Sequence, residues 1–224
     1  MELTYTGFYV EANVVCIIIF MMMFLREMGS VGRQTKQMVF VNITISHMLY
    51  FLCDTAWVLV MADLIPKTQF SASVVNILNA ILLSAITGFW FVYVELSQGE
   101  KYITHLKHRI YVLTLAMLET LVILVLFVFF PSVVITETYE MTTMYYVVFI
   151  SVPAIYIIIS SVRAFIRAFR KENYAVRMQY LVCGAYPVVL TIFGIAQVAL
   201  IVAPVFCFGS TIIMLYVYIV SLND

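Results

Sequence analysis

Carboxylates and amides in this sequence stand in runs that are otherwise apolar, which is where binding chemistry is most visible. Asp54 lies in Phe51-Leu52-Cys53-Asp54-Thr55-Ala56-Trp57, and Asn76 and Asn79 lie in Val74-Val75-Asn76-Ile77-Leu78-Asn79. Glu11 and Asn13 sit in Tyr9-Val10-Glu11-Ala12-Asn13-Val14, and Gln197 in Ile195-Ala196-Gln197-Val198. An ionisable group at membrane depth is costly, so it faces protein or a water-filled cavity and marks a site. Their shared chemistry is recognition: small-molecule sites carry a few polar groups in an aromatic and apolar wall. Trp57, one helical turn from Asp54, faces the same way. The competing explanation is structural, because Asn, Gln and Asp also hydrogen-bond membrane helices to one another.

Composition identifies the elements that hold these groups. The 224 residues are 64% hydrophobic, 15% aromatic and 11% charged, with a mean hydropathy of +1.06. Soluble domains are about a quarter charged, and the 12 basic and 12 acidic side chains here could not cover a water-facing surface. A soluble enzyme, a nucleic-acid binder and a disordered tail are excluded. Barrel strands alternate over about ten residues, whereas these apolar runs last about twenty, the length of a membrane-spanning helix. The expected class is therefore all-α and polytopic, with seven transmembrane helices. These run Tyr9 to Leu25, Val39 to Met61, Ser73 to Leu96, Ile110 to Phe130, Met144 to Phe165, Tyr180 to Val202 and Pro204 to Val220. Met1 to Phe8 carries no Lys or Arg, so the first span reads as a retained anchor and not a cleaved signal.

Basic residues gather on cytoplasmic loops. Arg26, Arg33 and Lys36 follow span one; Lys101, Lys107 and Arg109 follow span three; Arg163, Arg167, Arg170, Lys171 and Arg177 accompany the end of span five. Lys67 is the one exception. The N-terminus is thus expected outside and the C-terminus inside. At about 1.5 Å rise per residue, Asp54 lies about 10 Å below the outer end of its span, and Asn76 and Asn79 about 5 and 9 Å below theirs. With Glu11, Asn13 and Gln197 equally shallow, an outward-facing pocket is expected.

Other polar groups have simpler readings. Ala80, Ser84 and Gly88 recur every four residues, a strip that lets another backbone approach; Asn76, Asn79, Leu83, Thr87 and Trp90 form a stripe beside it. Pro153 and Pro187 interrupt helix hydrogen bonding and bend their spans. Arg163, Arg167 and Arg170 are expected to rest on anionic headgroups, and His105 and His108 belong to a solvated charge run. His47 reads as a core histidine, and Glu119 has no obvious partner. Cys16, Cys53, Cys183 and Cys207 all lie in or beside apolar spans, so no disulfide framework is implied.

Missing chemistry removes several seven-helix classes. No Lys follows Lys171 to carry retinal, and only His47 lies in a span to hold haem. His47 and Asp54 are too few for a zinc hydrolase, and Glu95-Leu96-Ser97 and Ile212-Ile213-Met214 depart from the hormone-receptor motifs. The runs Gly7-Phe8-Tyr9-Val10-Glu11-Ala12-Asn13, Asp54-Thr55-Ala56-Trp57 and Pro204-Val205-Phe206-Cys207-Phe208 resemble the N-terminal seven-helix membrane sensor module of Firmicutes-type bacterial diguanylate cyclases.

That resemblance covers the whole chain. It implies a single sensor domain, 1–224, in the bacterial cell membrane, placed before a cytoplasmic GGDEF domain that makes cyclic di-GMP. It also implies a parallel homodimer. In such proteins the last helix continues into the cyclase, whereas this chain ends at Ser221-Leu222-Asn223-Asp224 without a GGDEF signature or nucleotide site. No catalysis, cofactor, metal or nucleic-acid partner is expected of these residues. The expected function is to bind an extracellular small molecule among Glu11, Asn13, Asp54, Trp57, Asn76, Asn79 and Gln197, with the last helix relaying the event. The alternative is a small secondary transporter or substrate-binding membrane protein with Glu119 or His47 as a proton relay, although neither repeated halves nor paired broken helices are evident.

Overall fold

The computed structural model describes residues 3–29, 34–200 and 203–222. Arg33 of the first basic loop, Val202 at the end of the sixth expected span, and Asn223 and Asp224 lie outside them. The chain is helical: α1 (Leu3–Gly29), α2 (Thr35–Met61), α3 (Gln69–Ser97), α4 (Leu106–Phe129), a one-turn α5 (Pro131–Val134), α6 (Thr143–Ala168), α7 (Arg177–Ala199) and α8 (Val205–Leu222). Two 3₁₀ turns, Lys101–Thr104 and Lys171–Val176, lead into α4 and α7. Among the described residues no strand forms; an isolated antiparallel bridge pairs Ile135 with Met141. Among the described residues six helices are long and apolar enough to cross a membrane, and Val205–Val220 is a shorter apolar helix.

The 3.6-residue period decides what α1 buries. Tyr9, Ala12, Asn13, Cys16, Phe20, Met23 and Glu27 are buried along one stripe, the three-and-four spacing of an amphipathic helix. That stripe packs on α2 and α8. Continuing through neighbours, α2 meets α3, α3 meets α6, α6 meets α7, and α7 meets α8. Helices α1, α2, α3, α6, α7 and α8 therefore close a ring, and α4 lies against α3 and α6.

The ring is filled unevenly. Phe20, Phe40, Phe51, Trp90, Tyr93, Tyr186 and Met214 belong to one buried cluster, concentrated toward the end that carries the basic loops. His47 is part of this filling. Its Nδ1 lies 2.9 Å from the Ile43 carbonyl and its Nε2 3.0 Å from the Tyr186 hydroxyl, while Phe20 stacks on its ring. Both ring nitrogens are therefore satisfied inside the protein, as a core histidine requires.

Helix α3 is the most buried span. The strip Ala80, Ser84 and Gly88 faces the α4 and α6 side, where a Cβ on Gly88 would stand 2.9 Å from Leu113 Cδ2 and 3.6 Å from the Tyr156 ring. A side chain at Gly88 would oblige the end of Leu113 on α4 to shift. Beside it, Ser84 donates a short hydrogen bond to Glu119 Oε2. Glu119, without an evident partner in the sequence, is thus held by the small-residue strip, and its Oε1 is buried with no partner among the described residues.

Local turn chemistry builds the other end of α3. Gly99 has φ +73°, the left-handed conformation that favours glycine after a helix. Its N–H donates to Leu96 O at 3.1 Å, and Glu100 N–H donates to Glu95 O at 3.1 Å, the paired bonds of a Schellman stop. The stop aims Glu100 at α6. Arg163 pairs with Glu95 at 2.9 Å and with Glu100 at 3.4 Å, and Arg167 pairs closely with Glu100. Arg167 also donates to the Gln98 carbonyl at 2.9 Å. Tyr102 donates to Glu95 at 2.5 Å; burial first, and then this bond, pushes its hydroxyl above the ordinary tyrosine value, so it remains a donor. The expectation that the arginine stripe rests on headgroups is corrected here for Arg163 and Arg167. Arg163 and Arg167 clamp α6 to α3, and Arg170 stands 3.8 Å from Glu172.

Glu95 is fully buried at its side chain, whereas Glu172 is 72% exposed. Removing a partner from a buried charged group costs about 1–3 kcal/mol or more, and an exposed ion pair contributes about 0–1 kcal/mol. Arg163→Ala should accordingly lower the melting temperature of the purified protein clearly more than Arg170→Ala. Equal shifts in a thermal-denaturation assay would contradict the clamp.

Candidate functional site

At the opposite end of the bundle, four helices exchange hydrogen bonds around Asp54. Tyr9 and Asn13 lie one turn apart on the buried stripe of α1 and reach α2 together. The Tyr9 hydroxyl donates to Asp54 Oδ2 at 2.8 Å, and Asn13 Nδ2 approaches the same oxygen at 3.3 Å. Asn13 Nδ2 also stands 3.0 Å from Thr55 Oγ1 and 3.4 Å from the Phe51 carbonyl. One amide thus joins α1 to a full turn of α2.

The network continues to the last helix. Gln197 Nε2 donates to the Tyr9 hydroxyl at 2.9 Å, and Gln197 Oε1 accepts from the Phe206 backbone N–H at 3.1 Å. This second bond has a simple cause. The first-turn N–H groups of a helix have no intrahelical acceptor, and Phe206 stands in the first turn of α8, after Pro204. A glutamine side chain in the last turn of α7 supplies the missing acceptor. Asp54, Tyr9, Gln197 and the Phe206 amide therefore form a continuous chain from a carboxylate to the start of α8. Below it, Gly209 lets α7 and α8 meet closely: a Cβ there would stand 2.1 Å from the Phe193 ring.

The charge of Asp54 is only half met. Oδ2 receives both bonds; among the described residues no hydrogen bond reaches Oδ1 and no Lys or Arg pairs with Asp54. Asn13 is fully buried, and its Oδ1 also has no partner there. Packing loosens at this level. No residue of α2 from Leu52 to Trp57 is buried, although the helix buries Phe51 on one side of this stretch and Val58 on the other. Five of these six residues, Cys53 to Trp57, are partly exposed, and five consecutive residues point around more than one helical turn. Aromatic rings border the group: Tyr50 packs on Phe206 with centroids 5.3 Å apart, and Trp57 is partly exposed one turn beyond Asp54.

The structure brings Asp54, Asn13 and Gln197 together, with Trp57 alongside. It does not bring Glu11, which lies on the exposed side of α1. Two residues before Asn13 on a helix is about 200° away, so only one of the pair can face α2. Asn76 and Asn79 are buried on α3, but among the described residues neither bonds to the Asp54 group. Asn76 Nδ2 donates to Ala72 O of its own helix at 2.9 Å, its carbonyl accepts from Tyr145 at 3.1 Å, and Asn79 Oδ1 has no partner there.

Tyr9, Thr55, Tyr50 and Phe206 were not singled out by sequence. Tyr9 alone carried a usable signal, its spacing of four from Asn13. Two surface concavities of about 330 and 360 Å³ lie elsewhere, one along α6 at Tyr146 and Ile150, the other between α4 and α6 at Leu115 and Tyr156.

Among the described residues no group of three His, Cys, Asp or Glu could hold a metal. The four cysteines are free thiols, and those of Cys16 and Cys207 face each other between α1 and α8. No protein-family description matches this chain, and no curated protein and no solved structure was found to be similar to it.

Two substitutions probe this geometry. Asn13→Ala removes bonds between helices, whereas Asn76→Ala removes a side-chain bond within one helix; buried polar groups left unpaired cost about 1–3 kcal/mol each. Asn13→Ala should therefore lower the melting temperature more, and the reverse order would contradict the linking role. Gly209→Ala forces the Phe193 ring to move, an overpacking cost of about 1–3 kcal/mol, while Gly7→Ala meets nothing within 4 Å. Scanning calorimetry should show a loss for the first and none for the second.

Proposed function

We propose that this chain is a membrane-embedded signalling sensor with seven spans, its N-terminus outside and its C-terminus cytoplasmic. An extracellular small molecule is taken up at the Asp54 end, and α8 passes the event to a cytoplasmic diguanylate cyclase domain within a homodimer in the bacterial cell membrane. One observation carries the reading: the hydrogen-bond chain from Asp54 through Tyr9 and Gln197 ends on the backbone N–H of Phe206, in the first turn of α8. A change at the carboxyl group is thereby linked through hydrogen bonds to the first turn of α8.

The physics requires only differential affinity. A ligand that binds one helix arrangement better than another shifts the population toward it. Tyr9 and Gln197 make that difference possible because both spend their hydrogen bonds across helix boundaries. The partial exposure of Cys53 to Trp57 and the aromatic filling toward the basic loops support a yielding part of the bundle at the proposed binding end. The distribution of basic residues supports the orientation, and the three motif runs support the family reading.

A second reading, a small secondary transporter, draws on Glu119, whose Oε1 is buried without a partner among the described residues. The two separate cleanly. With the chain fused in frame to a diguanylate cyclase domain, Tyr9→Phe and Gln197→Leu should each shift basal cyclic di-GMP output at least about threefold relative to the unsubstituted fusion at equal membrane abundance. Tyr111→Phe, on the far side of α4, should leave it unchanged. Unaltered output in both relay variants, together with substrate flux in liposomes abolished by Glu119→Gln, would replace the sensor by the transporter.

A further inference from the structure

We infer that the ligand recognised at Asp54 is a protonated organic amine, held by Asp54 Oδ1 and Asn13 Oδ1 with aromatic rings of Tyr50, Trp57 and Phe206 around its substituent. This deepens the sensor reading and rests on it for its consequence, but not for its chemistry.

The first argument is charge. Asp54 places a carboxyl group among apolar helices with no basic side chain paired to it among the described residues, and the described ion pairs all lie in the Arg163, Arg167 and Arg170 region of the other end. Tyr9 and Asn13 solvate one oxygen and leave the other without a protein donor. A cation is the species that such a group lacks.

The second argument is the count of free acceptors. Asn13 is fully buried with Oδ1 unpartnered among the described residues, and its amide lies against the Asp54 carboxylate. The other oxygens nearby are committed: Tyr9 accepts from Gln197, Thr55 donates to the Phe51 carbonyl at 2.8 Å and stands 3.0 Å from the Asn13 amide nitrogen. Two oxygens without a protein donor, that of Asn13 enclosed by the protein, are far short of the six or more that a divalent hard cation requires. They suit an ammonium, which carries up to three N–H donors and needs only a few acceptors.

The third argument is the wall. Tyr50 is one turn before Asp54 and Trp57 one turn after it, so both lie on the Asp54 side of α2. Phe206 packs on Tyr50 at 5.3 Å and is itself the residue whose N–H ends the relay. Aromatic faces attract organic cations by about 0.5–2 kcal/mol and accommodate an apolar substituent, whereas they offer a small hydrated ion nothing. Cys53 to Trp57 are each partly exposed, so the Asp54 turn of α2 is not sealed by neighbouring helices.

Tryptophan fluorescence reads the site directly, because the chain has two tryptophans and Trp90 is buried against Tyr186 at 3.8 Å. In a Trp90→Phe background, Trp57 becomes the sole reporter. Titration with phenethylammonium chloride should give a saturable change in emission, and Asp54→Asn should weaken it at least tenfold. Sodium chloride at equal ionic strength should do nothing, and tetramethylammonium chloride, which has no N–H donors, should bind more weakly. If Trp90→Phe does not fold, calorimetric titration of the unsubstituted chain with the same salts gives the same comparison.

No saturable response, an unchanged response in Asp54→Asn, an equal response to sodium, or tetramethylammonium binding as tightly as the amine would each overturn the assignment. Failure of the amine to bind, with relay variants still altering the cyclase fusion, would remove this ligand class and leave the sensor. Amine binding with a fusion indifferent to Tyr9→Phe and Gln197→Leu would remove the sensor and leave the site.

Discussion

A carboxylate set among apolar helices must be solvated by the protein around it, and at Asp54 that requirement draws four helices together. Tyr9 and Asn13 bring α1 to α2; Gln197 then takes up the Tyr9 hydroxyl and, with its other end, the first-turn amide of α8. None of these bonds is local in sequence. The elbow between α7 and α8, the approach of α1 to α2, and the closure of the ring between α1 and α8 all draw on one carboxyl side chain and the groups hydrogen-bonded around it.

Fold and electrostatics divide the molecule into two unlike ends. Toward the basic loops, large rings fill the ring of helices and Glu95, Glu100, Arg163 and Arg167 bind α3 to α6. There each charge has an opposite charge beside it and the aromatic filling leaves little room to rearrange. At the Asp54 end Ala80, Ile123, Phe127, Ile135 and Tyr145 cluster between α3, α4 and α6. On the α1, α2, α7 and α8 side, buried Tyr9, Ala12, Cys16 and Cys207 pack together and side-chain hydrogen bonds around Asp54 link the four helices. Such bonds are directional and individually weak, so an arrangement built on them has alternatives nearby in energy.

Much of this was legible from residue order. Helical character followed from the length of the apolar runs, and the spacing of Ala80, Ser84 and Gly88 identified the face that receives α4. Asp54, Asn13 and Gln197 were recognisable because a polar atom in an apolar run has few innocent explanations. Glu11 misled for the same reason: composition shows that a carboxylate is near the membrane, but only helical phase shows which side it takes, and Asn13 already occupied the inward direction. Asn76 and Asn79 share the depth of Asp54 without bonding to it, since depth fixes one coordinate and the azimuth of each helix fixes the other. The Arg163 and Arg167 pairs were hidden because their partners lie more than sixty residues away in sequence. Tyr9 was overlooked because tyrosine passes as apolar until a partner for its hydroxyl is known.

The glycine stop after α3 has a mechanical consequence. By turning the chain so that Glu100 meets both arginines of α6, Gly99 welds two neighbouring rods at one tip while their far tips stay unjoined by any charge pair among the described residues. The far ends are fastened differently, by the Tyr145 hydroxyl of α6 donating to the Asn76 carbonyl of α3 at 3.1 Å and by the buried cluster that Ala80 and Tyr145 share, so charge holds one tip and an aromatic ring the other.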